Sequence, residues 1–182
     1  MAAKGETGEA DKFLAVIFPA GQLRIMPYNR VVHDLNGLTE EEFLRRLRQV
    51  AVVKEAESGN VEQAGSVRMY LSGRWLELVF AADKQASATD VLDVSVLQAR
   101  VLQPILGIDD PRTSQRIDFV GGIRGLQELE RLVDDGVAQV AFSMYPTTVE
   151  QLMDIADAGQ TMPPKSTWFE PKLRDGLFVH EI

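Results

Sequence analysis

The sequence predicts a mixed α/β fold of the α+β kind, with N-terminal hairpins followed by two consecutive strand-helix units in one mixed sheet. Residues 12–18 form a nearly continuous apolar run, as a strand covered on both faces does. Residues 67–71 and 74–80 are separated only by a Ser-Gly pair, which is the clearest hairpin signal in the chain. Residues 117–159 then run twice through the order strand, turn, helix.

The first third of the chain is predicted to contain a hairpin, a helix and a strand. A proline-containing break separates residues 12–18 from residues 23–27, so we expect these two segments to pair. Thr39 and Glu42 have the spacing of a capping box, which predicts the start of a helix. Residues 50–53 are rich in valine, and we interpret them as a strand rather than as a last helical turn.

The middle of the chain is predicted to contain the second hairpin and a second helix. Residues 94–106 place apolar side chains on one helical face, and Pro104 kinks or ends that helix. Asp109 and Asp110 precede a proline, so we interpret them as turn residues, with metal ligation as the alternative.

The two strand-helix units follow. Residues 117–120 lead through a glycine turn into a helix that ends at Gly136, and residues 138–145 lead through a proline into a helix that ends at Gly159. Consecutive units of this kind imply a parallel or mixed segment of sheet with right-handed crossovers.

Burial of the strands follows from the same patterns. Residues 13–18, 117–120 and 140–144 are almost continuously apolar, and we expect them to be central, buried strands. Residues 177–182 close the chain as a predicted edge strand after a proline-rich segment.

Composition and charge restrict the class of protein. A chain of 182 residues with 45% hydrophobic residues suits one core, so we expect a flexible lead-in at residues 1–11 and a single domain at residues 12–182. The net charge of -8 and the pI near 4.8 disfavour nucleic acid and anionic membranes as partners. There is no cysteine and no apolar run of signal-peptide or membrane-span length. We therefore expect a cytoplasmic protein without a cysteine- or histidine-based metal site and assign no metal ligand, with calcium or magnesium on carboxylates as the open alternative. The sequence identifies no cofactor and no catalytic residue.

The glycine turn is the first candidate binding segment. Gly121, Gly122 and Arg124 lie where a strand passes into a helix, so backbone N–H groups and one guanidinium are available to an anion. A plain tight connection between strand and helix is the alternative.

Two further polar segments are candidates for ligand binding. One is a proline-flanked loop that carries a cation and two hydroxyls, and the other follows a predicted strand. A stiffened surface loop and a simple turn are the respective alternatives. The residues are Lys165, Ser166 and Thr167 in the first segment, and Asn29, Arg30 and Asp34 in the second.

We expect Arg124 and Lys165 to point into one pocket that binds a phosphate or carboxylate group. Both are cations on short, rigid segments, and an anion relieves the repulsion between two converging cations. The alternative pairs each with a neighbouring carboxylate, Arg124 with Glu128 and Lys165 with Glu170 or Asp175.

Several motifs together resemble a known family. They include Tyr-Asn-Arg-Val-Val at residues 28–32, Ile-Asp-Phe-Val-Gly-Gly at residues 117–122 and Met-Pro-Pro-Lys-Ser-Thr-Trp-Phe-Glu-Pro-Lys at residues 162–172. These resemble the bacterial and archaeal domain-of-unknown-function family ten-fifteen, from about residue 13 to the C-terminus.

The resemblance implies that this chain is the C-terminal portion of a longer family chain. Family members are about twice as long and carry an Asp-Gly-His-His-Arg motif before the point where this chain begins. That motif is similar to one in ParB-like phosphotransferases, some of which phosphorylate free serine. An apolar surface near Phe13 and Tyr28 is then expected, where the N-terminal half would dock.

Two functional hypotheses follow. In the first, the chain is a structural portion of a larger protein that binds a phosphorylated or carboxylate ligand. In the second, it is part of a phosphotransferase-like enzyme of the ParB-like, small-molecule kinase type, with Asn29, Arg30 and Asp34 completing an active site. Self-association through an edge strand is a third interpretation.

Overall fold

A six-stranded sheet is the centre of the fold in the computed structural model, which describes residues 15–17, 19–83 and 85–172. The strands of these described residues are β1 (Arg24–Met26), β2 (Tyr28–Val32), β3 (Ala51–Ala56), β4 (Ser66–Leu71), β5 (Arg74–Phe80), β6 (Ile117–Gly121), β7 (Val140–Ser143) and β8 (Trp168–Glu170). The sheet has the order β3-β5-β4-β7-β2-β6, and every pairing in it is antiparallel.

Four α-helices accompany this sheet in the described part of the chain. They are α1 (Glu40–Val50), α2 (Asp93–Leu97), α3 (Leu126–Asp134) and α4 (Val149–Asp157). Short 3-10 turns lie at Ala20–Gln22 and Gly122–Arg124. Among the residues that the structure describes, no helix is both long and apolar enough to cross a membrane.

The chain divides into two compact units. One is Ile25–Trp168, which contains the six-stranded sheet and all four helices. The other consists of Met1–Arg24 and Phe169–Ile182, and its described residues include the turn Ala20–Gln22. All the sites described below belong to the first unit.

Two apolar cores lie on the two faces of the sheet. Successive strand residues point to opposite faces, so Val31 and Val32 of β2 belong to different cores. Val32 packs in the larger core with side chains of α1 and α2 such as Leu47 and Leu97, to which α4 also contributes. Val31 packs in the smaller core with Leu129 of α3. Helix α3 therefore lies on the opposite face from α1, α2 and α4.

The locally encoded elements are confirmed. In the β4-β5 hairpin Leu71 lies opposite Arg74, and the connecting Ser72 and Gly73 have φ values of 49° and 78°. Positive φ at both positions is what the type I′ turn of a two-residue hairpin requires. Thr39 caps α1 by accepting a hydrogen bond from the backbone N of Glu42, and β3 follows α1 directly. The mixed α/β class is thus confirmed.

The predicted buried strand at residues 13–18 is wrong where the structure describes it. Residues 15–17 are not in a strand, and Val16 and Ile17 are 52% and 93% exposed. Apolar composition fixes neither the partner nor the pairing of a segment, and β2 is the first strand of the six-stranded sheet. The remaining residues of this segment, and the predicted strand at residues 177–182, lie outside the described residues.

The sheet is antiparallel rather than mixed. Strands β6 and β7 both pair with β2, one on each side, so they are parallel to each other without being neighbours. Strand β6 therefore lies at the edge of the sheet, although Val120 is buried as predicted, and β7 lies inside it with Phe142 fully buried. Two consecutive strand-helix units along the chain predict neighbouring strands. They do not reveal that β2, from an earlier part of the chain, lies between β6 and β7.

The predicted helix at residues 94–106 is divided. Helix α2 ends at Leu97. A wider π turn follows directly over Gln98–Leu102, in which the backbone N of Gln103 donates to the carbonyl of Gln98. Pro104 has no N–H, so a regular helix through it would lose a hydrogen bond.

Asp110 is a turn residue. Its carboxylate accepts hydrogen bonds from the backbone N and the guanidinium of Arg112, and the side-chain bond lowers the pKa of Asp110 to about 2. Within residues 15–17, 19–83 and 85–172, no three acidic or imidazole side chains converge as a metal site would require.

Candidate functional site

The glycine turn connects β6 to α3 in a conformation that only small residues fit. The backbone N of Gly122 donates to the carbonyl of Pro27 at 2.8 Å, and a Cβ on Gly122 would lie 2.7 Å from the Pro27 ring. Gly125 has φ 76° and ψ 174°, a region that residues with a side chain rarely adopt. Glycine at both positions lets the backbone approach Pro27 closely and then turn into the helix.

Helix α3 begins without a side-chain cap. Its N-cap position is Gly125, whereas Thr39 and Thr148 cap α1 and α4 through their hydroxyls. The first N–H groups of a helix have no acceptor within the helix, and the helix dipole makes this end electropositive. The nearby Glu128 carboxylate is engaged by Arg131, whose hydrogen bond lowers the pKa of Glu128. The start of α3 therefore presents hydrogen-bond donors without a cap of its own.

A cavity of about 340 Å³ lies at this end of the helix. Its wall includes Gly122, Gly125 and two polar side chains, Asn29 of β2 and Ser143 of β7. Asn29 and Ser143 are only 1% and 3% exposed. The Oδ1 atom of Asn29 accepts a hydrogen bond from the backbone N of Met144 at 3.0 Å, so the amide nitrogen is the group left for a ligand.

The two polar side chains face the cavity because of strand alternation. Val31 and Ala141 belong to the core under α3, and Asn29 and Ser143 each lie two residues from one of them. Both polar side chains therefore point to the face of the sheet that α3 covers. They stand where the apolar core ends and the cavity begins.

Arg124 does not line this cavity, although it belongs to the same turn. Its side chain is 67% exposed, and its Nη1 atom lies 3.8 Å from the Glu128 carboxylate. This is the neighbouring ion pair that the sequence left open as the alternative. A Cβ on Gly121 would lie 2.6 Å from the Trp168 ring, so Gly121 allows that ring to pack closely.

The proline-flanked loop lies on the other face of the sheet. Lys165 has φ 55°, and its carbonyl accepts a hydrogen bond from Nη2 of Arg30 at 3.2 Å. The next carbonyl, that of Ser166, accepts from the Thr147 hydroxyl at 3.0 Å. The Nζ atom of Lys165 lies 5.5 Å from the Tyr28 ring centroid. Side chains from two other segments thus hold the loop backbone at successive residues.

Arg30 is a buried cation. It is 4% exposed, its Nη1 atom donates to the carbonyl of Tyr28, and its Cζ atom lies 5.6 Å from the Phe119 ring centroid. Burial lowers the pKa of Arg30 to about 10. No carboxylate among the described residues forms an ion pair with it.

Asp34 has a structural partner. Its carboxylate accepts a hydrogen bond from Nε of Arg116 at 2.8 Å, which lowers the pKa of Asp34, and it also accepts from the backbone N of Asn36 at 2.7 Å. These contacts fit the turn that the sequence left open as the alternative role. Ser166 is buried and Thr167 half-buried, so neither is an exposed loop hydroxyl.

The predicted site residues fall into two groups on opposite faces of the sheet. Gly122 and Asn29 lie at the cavity beside α3, whereas Arg30 and Lys165 lie on the face that carries Phe119. The expected pairing of Arg124 with Lys165 is replaced by contact of Arg30 with Lys165. Sequence reasoning missed Ser143, whose only signal was a polar residue at the end of an apolar strand.

One comparison matches the chain to a family model whose description assigns no activity. A family model described as a protein of unknown function (DUF1015) matches residues 1–95. No curated protein matches the chain. The matched range ends well before the Met-Pro-Pro-Lys-Ser-Thr motif at residues 162–167.

Several solved structures are similar in part. A free serine kinase in complex with AMP has a TM-score of 0.46 and 14% identity, covering 82% of this chain and 55% of its own. A mutant free serine kinase in complex with ADP has a TM-score of 0.47 and 16% identity over the same shares. A conserved hypothetical protein from Pyrococcus furiosus has a TM-score of 0.47 and 16% identity, with 81% and 56% covered. The chain therefore spans about half the length of these structures.

Proposed function

The chain belongs to the DUF1015 family, whose name assigns no activity, and we propose that it binds a small phosphate- or carboxylate-bearing ligand in the cavity at the start of α3. One observation carries the proposal. Two polar side chains, Asn29 and Ser143, are almost fully buried, yet they line a cavity rather than pack in the core. Polar atoms that line a cavity can hydrogen-bond a molecule inside it, so a ligand there would meet donors that the strands already hold in place.

The donors around the cavity suit an oxyanion. The Asn29 amide nitrogen, the Ser143 hydroxyl and the first N–H groups of α3 all donate hydrogen bonds. A helix N-terminus favours negative charge, and the glycine turn allows an anion to approach the backbone closely. None of these donors carries a net charge, so a bound anion would be the only charged group among them.

The size of the cavity limits the ligand. A volume of about 340 Å³ lies at the lower end of the range for small-molecule sites. The net charge of the chain is -8, so long-range electrostatics do not attract an anion to it. Affinity for a phosphate group must then come from the short-range donors of the cavity.

The alternative function, a portion of a phosphotransferase-like enzyme, stays a prediction. Of the three residues assigned to its active site, Asp34 pairs with Arg116, Arg30 is buried, and Asn29 lines the cavity. Anion binding by Asn29 serves both functions. A nucleotide is therefore included as a second probe in the test.

The proposal is tested by titrating the protein with inorganic phosphate, and separately with ADP, while amide chemical shifts are followed by nuclear magnetic resonance. Saturable shifts are expected at Gly125 and at the first residues of α3. The Ser143→Ala variant loses one buried donor and should bind about three- to tenfold more weakly. The control is Ser95→Ala on α2, a serine that lines a different cavity and should change nothing. Absence of saturable shifts at α3 with both probes, or equal weakening by the two variants, would overturn the proposal.

A further inference from the structure

The loop that carries Lys165 is held in an unusual backbone conformation by side chains from elsewhere. Arg30 donates to the Lys165 carbonyl at 3.2 Å, and Thr147 donates to the Ser166 carbonyl at 3.0 Å. Lys165 has φ 55°, which costs a residue with a side chain on the order of 1 kcal/mol. These contacts fix the backbone from which the lysine side chain extends.

The ammonium group of Lys165 lies over two aromatic rings. Its Nζ atom is 5.5 Å from the Tyr28 centroid and 5.9 Å from the Phe119 centroid. The Arg30 Cζ atom is 5.6 Å from the same Phe119 centroid. Lys165, which is exposed, and Arg30, which is buried, therefore both contact the Phe119 ring.

The contacts described so far do not compensate the two positive charges of Lys165 and Arg30. Cation–π contacts contribute on the order of 0.5–2 kcal/mol, which offsets only part of the cost of burying a guanidinium. Two neighbouring cations also repel each other. Across the part of the chain that the structure describes, no carboxylate forms an ion pair with Arg30 or Lys165.

A purely structural role for Arg30 and Lys165 explains this arrangement less well than anion binding does. Arg30 donates to one carbonyl of the loop, that of Lys165, and to the Tyr28 carbonyl of its own strand. A neutral amide donor could make the bond to the loop without the cost of a buried charge. Lys165 is exposed, so a long polar side chain there needs no left-handed backbone to reach water. Together, the hydrogen bond from Arg30 and the left-handed backbone at Lys165 position an ammonium group beside a second cation.

We infer that Lys165 and Arg30 form a second oxyanion site, which takes a carboxylate or a phosphate group on the face of the sheet opposite α3. Lys165 is the group that contacts the anion, and it donates hydrogen bonds from its ammonium. Arg30 acts behind it by holding the Lys165 carbonyl and by adding positive charge. This site is independent of the α3 cavity, which neither residue lines.

The test follows the amide resonances of Lys165 and Ser166 during titration with inorganic phosphate and, in a second series, with acetate. Both probes carry the inferred chemistry, and their relative affinities show whether the site prefers a phosphate or a carboxylate. Saturable shifts at these two amides are expected. The Lys165→Met variant should weaken binding about tenfold, since one charged donor is lost. Lys54→Met, at an exposed lysine of edge strand β3, should keep wild-type affinity.

The outcomes at the two sites are distinguishable. Lys165→Met should leave the shifts at Gly125 unchanged, and Ser143→Ala should leave those at Lys165 unchanged. Shifts at Lys165 that never saturate, that persist at full affinity in Lys165→Met, or that weaken equally in Lys54→Met would overturn the second site. None of these results bears on the α3 cavity.

Discussion

Replacing Asp93 by Asn is expected to stabilise the fold at neutral pH. Asp93 is the first residue of α2 and lines a cavity of about 430 Å³, and its Oδ1 atom accepts a hydrogen bond from the backbone N of Gly65 at 2.8 Å. Burial raises the pKa of the Asp93 carboxyl from 3.8 to about 6, although the Gly65 bond acts in the opposite direction. The folded state therefore holds this proton more tightly than the unfolded state does.

The magnitude follows from the pKa difference. About two pKa units at 1.36 kcal/mol each give up to about 3 kcal/mol, and partial exposure of the carboxylate reduces this to about 1–2 kcal/mol. Because the folded pKa is the higher one, the stability associated with this proton is complete below about pH 4. It is lost as the pH rises through about 6. Asn keeps the acceptor for Gly65 and removes the charge, so Asp93→Asn should be more stable than wild type above about pH 6.

Urea unfolding followed by tryptophan fluorescence, at several pH values between about 4 and about 7.5, measures the difference between wild type and Asp93→Asn. That difference should grow with pH up to about 6 and then stay constant. Asp93→Ala removes the acceptor as well as the charge, so it should be less stable than Asp93→Asn at every pH. A difference between wild type and Asp93→Asn that does not vary with pH would refute the role of burial.

Three other substitutions test the packing and capping described above, each by the midpoint of urea unfolding. Gly122→Ala places a Cβ 2.7 Å from the Pro27 ring and should cost about 1–3 kcal/mol; an unchanged midpoint would mean that the close approach is not required. Thr148→Ala removes the capping box with Gln151 and should cost about 1 kcal/mol, while a neutral effect would show that α4 does not depend on its cap. Phe142→Ala empties a fully buried position and should cost about 3–5 kcal/mol; a loss below about 1 kcal/mol would contradict its place in the core.

Local signals predicted the elements whose structure is decided by neighbouring residues. The β4-β5 hairpin depends on a two-residue turn, and the starts of α1 and α4 depend on Thr39 and Thr148, so short windows of sequence were sufficient. Strand order depends on distant pairing. The placement of β2 between β6 and β7 brings together residues about a hundred positions apart, and no local pattern encodes it.

The same division explains what was predicted of the candidate sites. The glycine turn was visible because glycine restricts where a chain can bend, and Gly122 and Gly125 do lie at the cavity. Contact between Arg30 and Lys165 joins residues 135 positions apart, so the sequence did not reveal it. Ser143 was missed because its exposure to a cavity depends on the packing of α3 against β7.

The most direct test of anion binding at the α3 cavity is a charge-matched comparison of two variants at about pH 7.5. Asn29→Asp keeps the acceptor for the backbone N of Met144 and replaces the free amide donor by a carboxylate. Gln49→Glu adds the same charge at an exposed position of α1. In phosphate titrations followed at the Gly125 amide, Asn29→Asp should weaken binding at least about tenfold, while Gln49→Glu stays within about twofold of wild type. Equal affinity in the two variants, with both spectra showing a folded protein, would contradict an oxyanion site at Asn29.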